Sequence, residues 1–292
     1  YEKYLCSRFL FFAPRLRGKC RILFEEGAFM RETDRYVKRT LETGLAPIEM
    51  KYQPVFDCVS GEPVAYLGEA YLNSVLYGTL APADYEESAD MAEEGVELAF
   101  ASFRKVMRLV DALCAKAVRF SFVSFRAPAA LLLSDGLYEK LTAEMKAAGF
   151  TEPGRVALSF APEILTMELP AAKSGFSAIG AAGLRTLVRD CGKEDFPLMR
   201  LLSFTPDFVS VSPSLTVLLS DRDRSGAVSP FFQMLKGLHI AAIANGVPDD
   251  DTVRAFSRCE AFGFLPSADY RGHFSCRAAL LTEDALIPGK EN

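Results

Sequence analysis

Short apolar runs alternate with longer segments of helical period from about residue 48 onward, and the alternation continues for more than 200 residues. Residues 96–117 place Phe100, Phe103, Met107, Val110 and Cys114 three and four apart, the stripe of a helix packed along one side. Residues 119–125 alternate and carry aromatics, as a strand does. Leu137, Leu141 and Met145 form the next helical stripe, and Gly149 ends it. Further strands are expected over 155–160, 184–188, 208–211 and 240–244, and further helices over 84–92, 175–182 and 231–238. A chain that repeats strand and helix builds a parallel sheet, because each crossover returns it to the same end. Eight such units close into a (β/α)8-type barrel. Periodicity alone does not separate that barrel from a doubly wound open sheet.

Half of the 292 residues are apolar, enough for one barrel-sized core with an appendage. A net charge of −5 and two histidines show nothing of a nucleic-acid surface, so no nucleic-acid polymer is expected as a partner. The seven cysteines (Cys6, Cys20, Cys58, Cys114, Cys191, Cys259 and Cys276) are odd in number and never spaced C-x-x-C. That argues against a disulfide framework or a zinc site and for a reducing, cytoplasmic location. No apolar run approaches the ~20 residues of a membrane-spanning helix. The chain begins at Tyr1 rather than methionine, which leaves an upstream anchor or sensor open. Residues 1–45, with Phe9-Leu10-Phe11-Phe12, a basic stretch over 15–21 and an amphipathic helix over 28–43, are expected to form an N-terminal appendage or linker helix. A barrel over 46–275 and a C-terminal tail over 276–292 follow.

Several short motifs narrow the choice. Residues 52–57 read Tyr52-Gln53-Pro54-Val55-Phe56-Asp57, and Glu69-Ala70-Tyr71-Leu72-Asn73 follows after Gly61. Gly78-Thr79-Leu80-Ala81-Pro82-Ala83-Asp84-Tyr85 resembles Gly-x-Ile-x-Pro-x-x-Phe, with Leu80 and Tyr85 at its Ile and Phe positions. Residues 183–192 (GLRTLVRDCG) align without gaps on Gly-Val-x-Leu-Ala-Leu-Asp-Asp-Phe-Gly, with Asp207 at the spacing of a following Leu-Pro-x-Asp. Residues 238–247 (LHIAAIANGV) resemble Leu-Gly-x-x-Val-Val-Ala-Glu-Gly-Val. Held together over roughly 48–268, this series resembles the EAL family, bacterial domains that hydrolyse the second messenger cyclic di-GMP. The resemblance implies a modified TIM-type (β/α)8 barrel, and a dimer built through helices beside the active-site face.

The family's reactive positions are largely replaced. Its members hold two divalent cations with carboxylates and one asparagine at barrel-strand ends, and paired cations need that acidic cluster to clamp the attacking and leaving oxygens. The signature glutamate is kept as Glu69, while the arginine after it becomes Asn73. The asparagine falls on Val123, the first glutamate of Glu-x-Thr-Glu on Ser159 and the second on Pro162. The aspartate pair becomes Arg189 and Asp190, the lysine Ser210, and the glutamate of Glu-Gly-Val Asn245. A late glutamine that contacts guanine falls near Phe262. A shifted register through Glu194 and Asp195 would leave 184–188 unmatched. These replacements imply no metal, no other cofactor and no hydrolysis: a catalytically inactive regulatory or scaffold domain acting through an unidentified protein partner.

A non-catalytic cyclic di-GMP receptor is the competing reading, and an active phosphodiesterase a third. Without the signature arginine, a receptor would grip phosphate through Arg189, Lys193 or Arg126. Glu69 is expected to pair with Arg189, whose guanidinium supplies charge that a cation would have supplied; Glu69, Arg189 and Asp190 are the candidate ligand-binding residues. Cys191 reads as a core filler, and His239 and His273, with no acid or cysteine partner at catalytic spacing, as structural residues. The Asp249-Asp250-Asp251 run reads as a helix cap rather than a metal site, and Arg222 and Arg224 as loop charges.

Overall fold

The computed structural model of the chain describes residues 48–74, 78–221, 225–274 and 279–287. The expected N-terminal appendage, Arg222 and Arg224 lie outside the described residues. Strand β1 (Ile48–Phe56) is followed by a six-residue turn and β2 (Pro63–Ser74). Asp57 organises the turn: its carboxylate accepts from the Val59 and Ser60 N–H groups at 3.0 and 2.6 Å, and Gly61 takes a positive φ of 69°. A link this short cannot carry a crossover helix, so β1 and β2 run antiparallel. This is where the chain departs from a regular strand–helix repeat.

The remaining barrel strands are β4 (Phe122–Arg126), β5 (Val156–Phe160), β6 (Arg185–Cys191), β7 (Phe208–Val211), β8 (Ala241–Val247) and β9 (Gly263–Pro266). Each is parallel to its neighbour, beginning with β2, and β9 meets β1 antiparallel at Phe264 and Phe56. The eight strands therefore close on themselves, and the doubly wound alternative is excluded. Two short strands extend the sheet: β3 (Gly78–Leu80) on β2, and β10 (Leu281–Thr282) on β1. The segment read as a tail thus supplies a strand, and Leu286 beyond it is buried.

Helices α1 (Pro82–Ala89), α2 (Glu93–Ala115), α3 (Ala129–Leu132), α4 (Leu137–Ala148), α5 (Leu169–Ala181), α6 (Leu198–Phe204), α7 (Pro213–Ser220), α8 (Val228–Gly237) and α9 (Asp250–Arg258) surround the barrel, and α10 (Glu283–Leu286) follows β10. Helix α2 buries Leu98, Phe103, Val106, Val110 and Leu113 on the sheet side, as its spacing dictates. Gly149 ends α4 in the left-handed conformation. Asp249 caps α9 by accepting from the Thr252 N–H at 2.9 Å. Asp250 does other work: it accepts from the Tyr270 hydroxyl at 2.5 Å and pairs with the His273 ring. The Tyr270 hydroxyl first, and then the His273 N–H and ring, hold its carboxyl down to about 2. His273 therefore has an acidic partner that sequence spacing does not reveal, because 23 residues separate the two.

Side chains fill the barrel in layers. At the N-terminal floor, Phe122 packs against Phe208 with centroids 4.3 Å apart, and Phe262 lies 5.1 Å from Phe208. Phe262 thus belongs to the floor, the end away from the strands' C-terminal mouth, and does not fill the mouth. The middle layer holds Leu187 and Ile243 with the buried hydroxyls of Ser124, Ser159 and Ser210. Above them the lumen opens among charged residues.

Candidate functional site at the barrel mouth

The mouth is assembled from strand ends. Glu69 lies one step beyond the Gly68–Phe125 register pair of β2 and β4, level with Arg126. Strand alternation sends Phe122, Ser124 and Arg126 inward and Val123 outward. Val123 is wholly buried between sheet and helices, so the lumen-facing residue at this level is Ser124 rather than Val123. Ser159 and Ser210 face the lumen beneath the mouth, on the strands that carry Ala157 and Phe208 into the floor. Asn73 sits at the rim, where its side-chain oxygen accepts from the Thr79 hydroxyl at 2.8 Å.

Two irregularities aim residues into this space. Strand β6 bulges between Val188 and Cys191, and Asp190 there adopts φ 53°, with its N–H donating to the Ser210 hydroxyl at 3.2 Å. Strand β8 bulges between Asn245 and Val247, with Gly246 at φ 76°. An extra residue in one strand re-aims its neighbours, which is why bulges recur at barrel rims. Arg189, Asp190 and Asn245 all owe their placement to these bulges. Cys191 is fully buried and burial pushes its thiol up to about 12, the state of a core filler rather than a nucleophile. Glu194 and Asp195 lie beyond β6, off the strand register.

Four charged side chains join across the mouth. Arg126 donates from Nε and Nη2 to one oxygen of Glu69, at 3.2 and 2.5 Å. Its Nη1 reaches one oxygen of Glu86 on α1, and Arg189 Nη2 reaches the other. Glu69 therefore pairs with Arg126, not with Arg189 as expected, and Glu86 completes a chain Glu69–Arg126–Glu86–Arg189. Burial works to raise the Glu86 carboxyl, but the Arg189 and Arg126 guanidiniums together outweigh it and hold it below the ordinary range. Helix α1 is set in place by the Tyr85 hydroxyl, which donates to the Ala70 carbonyl at 2.7 Å. Lys51, opposite Glu69 on β1, lies over the Tyr71 ring at 4.3 Å.

Glu86 is the site residue that sequence reading misses. It lies on a helix face among other acids, and nothing in its spacing marks it as the counter-ion of two arginines on distant strands. Beside it opens a cleft of about 420 Å³ lined by Glu86, Glu87, Glu163, Arg189, Asp190 and Lys193. These donors do not suit a pair of divalent cations. One carboxylate at the lumen is taken by a guanidinium, a second guanidinium stands one residue from Asp190, and the strand positions below offer only hydroxyls. No three His, Cys, Asp or Glu side chains converge among the described residues.

An eight-stranded barrel with one antiparallel strand, a C-terminal mouth and a glutamate at the end of its second strand defines the class of the protein as a modified TIM-type barrel. The EAL domain family pattern matches residues 37–264. The chain belongs to that family. Among solved structures it is similar to the EAL enzyme Bd1971 in a form bound to cAMP and cyclic di-GMP, with TM-score 0.70 and 13% identity over 82% of this chain and 65% of that one. It is also similar to the FimX EAL domain, with TM-score 0.68 and 17% identity over 79% of this chain and 92% of that one; a FimX EAL domain from Pseudomonas aeruginosa has been solved bound to c-di-GMP. A third similar structure is the S helix-GGDEF-EAL portion of Vibrio cholerae LapD, with TM-score 0.65 and 11% identity over 81% of this chain and 56% of that one. The chain thus spans less than two thirds of the Bd1971 and LapD chains. No curated protein matches it.

Proposed function

We propose that this chain is a catalytically inactive EAL domain that serves cyclic di-GMP signalling as a regulatory or scaffold module through protein contacts. One observation carries the reading: the chain Glu69–Arg126–Glu86–Arg189 spans the mouth where the family's chemistry needs a cluster of free carboxylates. Two guanidiniums there repel dications and occupy the carboxylates that would bind them. Replacement of strand-end acids by Ser159, Arg189 and Asn245, and of the lysine by Ser210, supports the same conclusion. Exposed apolar side chains on α6 and α7, among them Met199 and Val217, offer a surface for protein contact, with a homodimer as its simplest form. No helix among the described residues is long and apolar enough to cross a membrane.

The test is turnover. Purified chain incubated with cyclic di-GMP and magnesium or manganese is expected to form no linear dinucleotide above the buffer rate; metal-dependent hydrolysis would overturn the reading. A non-catalytic receptor is the second reading, favoured by the convergence of Arg126 and Arg189 at the mouth. Calorimetric titration with cyclic di-GMP separates the two: binding marks a receptor, and no heat leaves a scaffold.

A further inference from the structure

The Glu86 bridge leaves one edge of a largely buried guanidinium half used. In arginine, Nε–H and Nη2–H lie along the same edge and form the fork that takes two oxygens of one oxyanion. Arg126 commits that edge to Glu69 and reaches Glu86 with Nη1. Arg189 gives Glu86 only Nη2, and its Nε is buried without an acceptor among the described residues. Glu86 presents one oxygen to each arginine, and the oxygen it turns to Arg189 meets Nη2 but not Nε. The two free oxygens of a phosphodiester, or the three of a terminal phosphate, can face both atoms of that fork.

We propose that Arg126 and Arg189 form a cradle for the phosphate of a small ligand, and that Glu86 is the cradle's built-in competitor, displaced when the ligand enters. The proposal rests on the non-catalytic reading of the mouth and adds the group recognised and the contact that regulates it. The Arg189 side chain is only 15% exposed, so an anion must accompany it; leaving a buried cation unpaired is strongly destabilising. Occupancy of the cradle is therefore a competition between anions rather than a choice between filled and empty.

Helix α1 is placed to yield. It is eight residues long, and a small, partly open pocket of about 40 Å³ lies against it, between Tyr85, Ala89, Leu98 and Arg126, so its packing there is incomplete. The adjoining cleft of about 420 Å³ accepts a small phosphorylated molecule and carries Lys193 at its edge. Glu87, Asp90, Glu163 and Asp190 line the same cleft, so an incoming anion works against their field while Glu86 is already in place. The intact protein accordingly holds the cradle shut against weak anions.

The experiment compares the full chain with its Glu86→Gln variant, which keeps the side chain's shape and removes its charge. Pyrophosphate and cyclic di-GMP are titrated into each by calorimetry, with circular dichroism to confirm the fold. The variant is expected to bind at least one probe more tightly than the unaltered chain, by about tenfold or more. Adding Arg189→Gln is expected to abolish that gain. A gain for pyrophosphate alone identifies a terminal phosphate as the group recognised, and a gain for cyclic di-GMP identifies a phosphodiester. A second variant, Tyr85→Phe, loosens α1 without altering a charge and is expected to shift affinity the same way by less. Equal binding by the unaltered chain and Glu86→Gln, or a gain that survives Arg189→Gln, overturns the proposal. Hydrolysis of cyclic di-GMP in the same samples would instead overturn the non-catalytic reading and leave the Glu86 comparison standing.

Discussion

At the residue scale the account turns on Glu86. Its carboxylate is the shared counter-ion of Arg126 and Arg189, so removing its charge leaves two guanidiniums facing each other across the mouth. Glu86→Gln is expected to lower stability near neutral pH by about 1–3 kcal/mol, measured by urea unfolding. The pH dependence has a definite sign. The folded carboxyl titrates below its unfolded value, so its contribution is present above about pH 4.3 and is lost as pH falls through the folded value. The stability gap between the unaltered chain and Glu86→Gln should therefore narrow on acidification, and a gap that is unchanged or wider in acid would count against the bridge. The sequence made Glu69, Arg126 and Arg189 legible as charges near the mouth, but not who pairs with whom. Arg126 is 57 residues from Glu69, and Arg189 is 103 residues from Glu86; only closure of the barrel brings them together.

Elements were readable where one physical signal dominated. The three-and-four spacing of Phe103, Met107 and Val110 marked α2, and Gly149 marked the end of α4. Helix α5 was expected only from 175, because Pro170 near its start and Gly175 within it interrupt the helical pattern. Helix α7 opens at Pro213 after the Ser212 cap, but its run 215–219 is too short and too uniformly apolar to declare a period. Helix α6, seven residues between Pro197 and the left-handed Thr205, was not foreseen. Nor was β9, whose four buried residues carry no alternation. The inward-facing residue of β4 was misplaced by one position, and a single step along a strand exchanges its faces. Tight pairing of β2 and β4 depends on Gly68, where an added Cβ would lie 2.4 Å from the Ser124 carbonyl oxygen. Gly68→Ala is expected to cost about 1–3 kcal/mol through forced separation of the two strands, read as a lowered thermal midpoint. An unaltered midpoint would show that β2 and β4 have slack there.

For the molecule as a whole, strand–helix alternation gave a parallel sheet, and the motif series gave the closed barrel that alternation could not choose. What neither supplied is the use to which the barrel is put, because that depends on ion pairs at the mouth and on apolar side chains left outside. Met199, 75% exposed on α6, and Val217, 61% exposed on α7, belong to that outer surface. Replacing both with glutamate is expected to leave folding stability within about 0.5 kcal/mol, as exposed sites do. Sedimentation velocity should show the altered chain shifted towards monomer if the proposed contact runs through these helices; unchanged association would move the contact elsewhere. The central claim, that guanidinium–carboxylate pairs stand where a dication pair would need free acids, is tested most directly by manganese binding followed by electron paramagnetic resonance. The free manganese signal is expected to stay undiminished when the chain is added at micromolar concentration. Two manganese ions bound per chain, and lost on Glu69→Gln, would contradict it.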